Sequence, residues 1–321
     1  MTAVLALSTV LPSLLLLAYF RSRDVYPEPA RVIWATFGLG VLTVIPVLAF
    51  SLPLSSLLAE LESPFTKAAY EAFVLAAIPE ETCKLLVLLL YARRHSAFDE
   101  PMDGLVYGVA ASLGFATMEN VLYVAQGGMG VAIMRAMTSI PGHATFGAIM
   151  GYFVGQAAFS PGRARAARIS AFVWPVVLHG LYDFPLLAAG MADGTADAEV
   201  ASAAMVAVPV ILFAAIAASL RMSRQLRAAQ LAGEALRSGL PPEAPAPRRS
   251  VWGVLAVIVG GLVATAGALM AAALVVAIAT DSVAADERSS AFLAIGLFGA
   301  APLLLGLVLF RLGIRRLNAR R

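Results

Sequence analysis

The sequence predicts an all-α protein: a polytopic helical bundle embedded in a membrane. About nine transmembrane helices are expected, with the N-terminus outside and the C-terminus in the cytoplasm. Three observations carry this expectation. First, 60% of the 321 residues are hydrophobic and only 13% are charged, and the mean hydropathy is +0.84. Soluble domains carry about 25% charged residues, so this chain lacks the polar surface to face water on all sides. Second, apolar runs of bilayer length fall near 3–20, 32–52, 67–92, 104–126, 130–159, 169–190, 201–220, 251–280 and 291–312. Third, the links between these runs alternate in charge. If all nine runs span, 19 of the 23 Lys and Arg residues lie on one side, as the positive-inside rule requires of a cytoplasmic face.

Taken in order, the first run is followed, not preceded, by its charges, Arg21 and Arg23, and no A-x-A-like site comes after it. It therefore reads as a first transmembrane helix and not as a cleaved leader. Residues 1–66 hold two N-terminal spans, 67–190 a four-helix core and 191–220 a seventh helix. Residues 221–250 form a basic cytoplasmic linker that begins as an interfacial helix and ends in Pro241, Pro242, Pro245 and Pro247. Residues 251–321 form an accessory hairpin and a basic tail, with no ionisable residue inside the apolar runs before Arg311 at the end of the last one. The single cysteine, Cys83, excludes an intrachain disulfide. The basic clusters flank apolar spans, where lipid headgroups account for them, so no nucleic-acid partner is expected.

The core is organised around AAIPEETCKLLVLLL at 76–90, which sets Glu80, Glu81 and Lys84 in the middle of an apolar run. A charge at the centre of such a helix costs roughly 2.5–3.5 kcal/mol on insertion scales. The following three spans bring Glu119 and Asn120, then His143, then His179 and Asp183, to a similar predicted depth. At a rise of about 1.5 Å per residue, Glu80 and Glu81 lie about 20 Å, and His143 about 18–20 Å, from the outer ends of their spans. Gly104, Gly108, Ser112 and Ala116 form an i,i+4 row that ends at Asn120, and Gly147, Gly151 and Gly155 form a row that begins at His143. Small residues at this spacing let helices approach closely, so both rows are expected to face neighbouring helices. Pro79 and Pro141–Gly142 are expected to open the backbone beside the polar groups.

Each residue also has a plainer reading. Glu80 and Lys84 make an i,i+4 ion pair that lets a helix insert; a lone buried histidine is usually a packing residue; Glu119 and Asn120 are interhelical glue. Glu71 and Arg135 read as interfacial, the latter snorkelling near an outer end, and the Met and Phe residues as filling. His179 and Asp183, i,i+4 on one face, read as an imidazole with its orienting carboxylate. The convergence of six acids and imidazoles on four successive helices favours chemistry over glue.

The motifs PEETCK at 79–84, DGLVYGVAASLGFATMEN at 103–120, PGH at 141–143 and HGLYD at 179–183 together resemble the PrsW family of bacterial intramembrane proteases, relatives of the type II CAAX prenyl endopeptidases and bacteriocin-processing proteases. Ser139 where the CAAX type has Phe, Asp183 where it usually ends in Asn, and Lys84 four residues after the first glutamate where it has an Arg after five all favour the PrsW branch. The resemblance implies a multi-pass protein of the bacterial inner membrane that cuts a membrane-bound protein substrate such as an anti-sigma factor. It implies Glu80, Glu81, His143 and His179 as catalytic residues, supported by Lys84, Glu119, Asn120 and Asp183. Peptide hydrolysis needs a base to deprotonate water and donors for the oxyanion. A glutamate-activated water with no cofactor is the favoured mechanism. A Zn²⁺ ion held by His143, His179 and Glu81 is the alternative, although no H-E-x-x-H is present. A proton-coupled transporter would also bury such groups, but it predicts matched repeats, which the sequence lacks. An inactive membrane scaffold is the third reading.

Overall fold

The structure, a computed structural model, describes residues 3–238 and five residues further on, Leu304, Leu307, Val308, Arg311 and Leu312. The predicted hairpin at 251–312 otherwise lies outside the described residues. Among these, helix is the regular structure, as the apolar periodicity predicts, and no strand occurs. The helices are α1 (Ala3–Arg21), α2 (Ala30–Leu42), α3 (Val44–Leu54), α4 (Pro64–Ala69), α5 (Ile78–Leu90), α6 (Pro101–Met137), α7 (Ser139–Phe159), α8 (Ala164–Ala192), α9 (Ala198–Ala204) and α10 (Ala207–Ser238). Four stretches among the described residues are long and apolar enough to cross a membrane: Ala30–Glu60, Pro101–Phe159, Pro161–Ala192 and Ala198–Gly233.

Helix α6 is the axis of the bundle, buried along most of its first sixteen residues. Its contact with α7 is made by backbone. A Cβ on Gly104 would fall 2.4 Å from the Gly151 carbonyl oxygen, and one on Gly108 would fall 2.3 Å from that of Gly147. Each step of four up α6 is met by a step of four down α7, so the helices run antiparallel in fixed register. The next step places the Ser112 hydroxyl on the His143 carbonyl oxygen, to which it donates at 2.7 Å. The glycine rows therefore face a helix, as their spacing predicts. On another side, Gly40 of α2 would set a Cβ 2.1 Å from the Ala111 carbonyl oxygen. Helices α1 and α2 share one apolar core with α6 and α7 through Leu17, Phe20, Val32, Ile33, Leu105, Val109 and Ala148.

The link expected between the runs ending at 126 and starting at 130 falls at Gly128, whose φ of 66° suits glycine, and Arg135 beyond it returns to Glu119 and Asn120. The helical path then resumes to Met137, and α7 starts after a second break at Thr138. His143 therefore sits in the opening turns of α7, just beyond that break. Other local expectations need correction. Pro141 falls in that first turn, where its missing N–H removes no helix bond, so it opens nothing. The distortion near Pro79 takes a different form from a simple break: Tyr70–Ala77 is a π-helix leading into α5. Pro79 cannot donate to the carbonyl four residues back, that of Leu75, and the Ser51 hydroxyl donates to it instead at 2.5 Å. Helix α10 continues through residue 221 to Ser238, within the stretch expected to begin as helix.

Candidate active site

The first turn of α5 carries Glu80 and Glu81. The π-helix before it shifts the register of the following turn, and both acids point into the bundle, 6% and 0% exposed. One turn on, the wholly buried Lys84 meets them. Its Nζ lies 3.1 Å from Glu80 Oε2, 2.8 Å from Glu81 Oε1 and 3.2 Å from His143 Nδ1. An ammonium has three N–H donors, and these three acceptors use all of them. His143 Nδ1 thus accepts, and its Nε2–H donates to Glu119 Oε2 at 2.9 Å. Phe115 stands under the ammonium, 4.2 Å from Nζ to ring centroid.

Glycine at position 180 lets α8 press against Phe73 of the π-helix and brings His179 beside the pair. His179 Nδ1 lies 2.9 Å from Glu81 Oε1, and Nε2 lies 3.1 Å from Asp183 Oδ2 and 3.9 Å from Glu80 Oε2. Both nitrogens face carboxylate oxygens, so the ring donates twice or one acid keeps a proton. The two imidazoles stand edge to face, 5.1 Å between centroids, and Phe146 stacks on His179 at 5.6 Å. The sequence-predicted residues Glu80, Glu81, Lys84, Glu119, His143, His179 and Asp183 are thus one connected network.

Two residues behave differently from expectation. Asn120 stands at the edge of the network, joined to it through Arg135, and its Nδ2 donates to the Thr9 carbonyl oxygen of α1 at 3.0 Å. Arg135 does not snorkel. It lies over Tyr123 and reaches back across the Gly128 kink, with Nη2 2.6 Å from Glu119 Oε2 and Nε 3.1 Å from Asn120 Oδ1. Sequence reasoning missed its part, and missed Phe115 and Phe146. The available signal was an arginine inside an apolar run with an acid one kink away. The network is buried at its centre and opens at one edge, where the side chains of Asp183, Glu119 and Arg135 are 23%, 18% and 14% exposed.

Four carboxyls here face two permanent cations, Lys84 and Arg135. The balance must come from protons on the rings and acids, or from a bound cation. The donor set fits a metal in kind and spacing: Glu80, Glu81, His143 and His179 each offer an atom within 4.8 Å of the others. Glu81 Oε2 is buried and has no hydrogen-bond partner among the described residues. Against this, both nitrogens of each ring are already engaged, and Lys84 stands among them.

A buried set of paired acids and imidazoles, reached from one edge of an apolar bundle, defines an intramembrane peptidase. Comparison with known proteins bears this out. The family described as PrsW family intramembrane metalloprotease matches residues 28–218. Protease PrsW of Geobacillus kaustophilus is 40% identical over 180 residues, 56% of this chain and 78% of the relative. Protease PrsW of Bacillus subtilis is 38% identical over 181 residues, 56% and 81% of the two chains. That of Clostridioides difficile is 32% identical over 191 residues, 57% and 79%. The chain belongs to the PrsW family and is a peptidase of the membrane, which retires the transporter and scaffold readings. No solved structure matches it.

Proposed function

We propose that the chain cuts a peptide bond in a membrane-bound protein, such as an anti-sigma factor, by attack of a carboxylate-activated water. The observation that carries the reading is the meeting of Glu80, Glu81, His143 and His179, from three helices, around one lysine. Glu80 is the base. Its side chain keeps 8% exposure, whereas that of Glu81 is wholly enclosed with Oε1 shared between Lys84 and His179. Glu80 takes a proton from water as the water oxygen bonds to the scissile carbonyl carbon. His143 and His179 position the water, and an N–H now held by Glu119 or Asp183 turns to the oxyanion as it forms, with Asp183 orienting His179. The proton passes to the leaving nitrogen as the C–N bond breaks. The nine-span topology, N-terminus outside, in a bacterial inner membrane and the division into a 67–190 core with flanking elements belong to the same proposal.

The orphaned Glu81 Oε2 and the family's description favour one second reading. In it Glu80, Glu81, His143 and His179 hold a divalent metal such as Zn²⁺. A metal there would polarise the carbonyl and lower the pKa of water. Cleavage of a membrane-tethered reporter by purified protein tests both. Glu80→Gln and Glu81→Gln should each lower turnover on the order of 10²–10⁴-fold, with unchanged thermal unfolding. Wild-type turnover in Glu80→Gln would remove the proposed base. Activity surviving thorough chelation supports the metal-free form, while loss that Zn²⁺ alone restores replaces it with the second reading.

A further inference from the structure

A second group of acids lies at the far end of α6. Asp103 is sixteen residues, about 24 Å along the helix, from Glu119. It sits in the first turn of α6, wholly buried, beside Glu100 at the N-cap. Asp24 and Glu28, 5% and 6% exposed, come from the α1–α2 connection. Asp24, Glu100 and Asp103 each offer an oxygen within 4.8 Å of the others.

Two acid oxygens here are left without a donor. Asp103 Oδ2 accepts the backbone N–H groups of Asp99 and Glu100, both at 2.7 Å. Asp24 Oδ1 accepts Tyr26 N–H at 3.0 Å and Gln230 Nε2–H at 2.7 Å. The same Gln230 amide donates to Glu100 Oε1, and the Tyr107 hydroxyl donates to Glu28 Oε2. Asp103 Oδ1 and Asp24 Oδ2 are buried and have no partner among the described residues. The nearby arginines Arg21 and Arg227 bond backbone, on the Glu28 carbonyl at 3.2 Å and on that of Arg23 at 2.7 Å. Among the described residues Arg21 Nε is buried without a partner, and neither guanidinium reaches an Asp24 oxygen within ion-pair distance. Among the described residues, no ion pair reaches Asp24, Glu28 or Asp103.

Buried carboxylate oxygens that converge without donors need a cation or a proton between them. The Glu28 carboxyl lies against that of Asp103, and a shared proton would satisfy that pair, but it leaves Asp24 Oδ2 bare. We propose that Asp24, Glu100 and Asp103 bind a hard divalent cation, of the Mg²⁺, Ca²⁺ or Mn²⁺ class, that fastens the α1–α2 connection to the first turn of α6. All-oxygen ligation suits these ions and disfavours zinc. Half-exposed Glu100 stands on the side from which the ion enters.

The test is Mn²⁺ binding to the full-length protein in detergent after metal removal, followed by electron paramagnetic resonance, with Ca²⁺ and Mg²⁺ as competitors. Asp103→Asn and Asp24→Asn keep the oxygens that accept Asp99, Glu100, Tyr26 and Gln230, so each removes charge without removing the local hydrogen bonds. One Mn²⁺ per chain is expected, retained in Glu81→Gln and weakened at least tenfold in each Asn variant. The metal-induced rise in unfolding temperature should vanish with it. Absence of Mn²⁺ binding, equal affinity in the Asn variants, or loss in Glu81→Gln alone would each overturn the proposal. The last would place the ion at the catalytic acids.

Discussion

The two ends of α6 each gather four acids, and they treat them in opposite ways. Around Glu119, every acid has a charged or imidazole neighbour: Lys84 bridges Glu80, Glu81 and His143, Arg135 takes Glu119, and His179 takes Asp183. Around Asp103, the acids meet one another, backbone N–H groups, Gln230 and a tyrosine hydroxyl. The first arrangement pairs each acid with a cation or a ring, though Glu81 Oε2 stays open; among the described residues the second has no such partner for Asp24 Oδ2 or Asp103 Oδ1. Burial alone therefore does not identify a catalytic acid. What distinguishes the active site is that Lys84, Arg135 and His179 come from the same helices as the acids they meet, with His143 added from α7.

The sharpest way to break this contrast is Lys84→Met. It leaves two adjacent buried carboxylates without their shared cation, and removal of one partner from a buried pair costs about 3–5 kcal/mol. Turnover should fall to background and thermal unfolding in detergent should drop sharply. Adding Glu81→Gln should restore part of the stability and none of the turnover. Equal stability of Lys84→Met and wild type would show that the network does not hold the charge balance assigned to it. A smaller effect is expected at the joint between the two ends. Gly151→Ala places a Cβ 2.0 Å from the Gly104 carbonyl oxygen, an overpacking that typically costs about 1–3 kcal/mol. Gly38→Ala, with nothing within 4 Å, should leave unfolding unchanged and serves as the control. Arg135→Gln should do least: Glu119 keeps His143 but loses its cation, and turnover should fall about tenfold, near 1.4 kcal/mol, with little change in KM. A drop as large as that of Glu80→Gln would move Arg135 into the reacting centre.

Much of this was legible in the amino-acid order. Costly acids in an apolar run, and glycine at every fourth position, are both statements about what a membrane helix must face. They located Glu80, Glu81, Lys84, His143 and His179 and the α6–α7 seam. The link near 126–130 was legible from its glycines, but which of them turns the chain was not, nor was the break at Thr138. The return of Arg135 to Glu119 stayed hidden for that reason. The π-helix at Tyr70–Ala77 has no compositional mark; it exists because Pro79 withholds a donor and Ser51 replaces it. The Asp24–Glu100–Asp103 group joins a loop to a helix start 76 and more residues away, a pairing that no periodicity announces.

Where α6 and α7 meet, main chain lies on main chain, and there are no rotamers to swing aside. That seam is a wall: it can separate only by pulling two helices bodily apart. A polypeptide seeking the paired acids must therefore find its doorway elsewhere, along borders where side chains, such as the Phe73 ring against Gly180, can turn and make room.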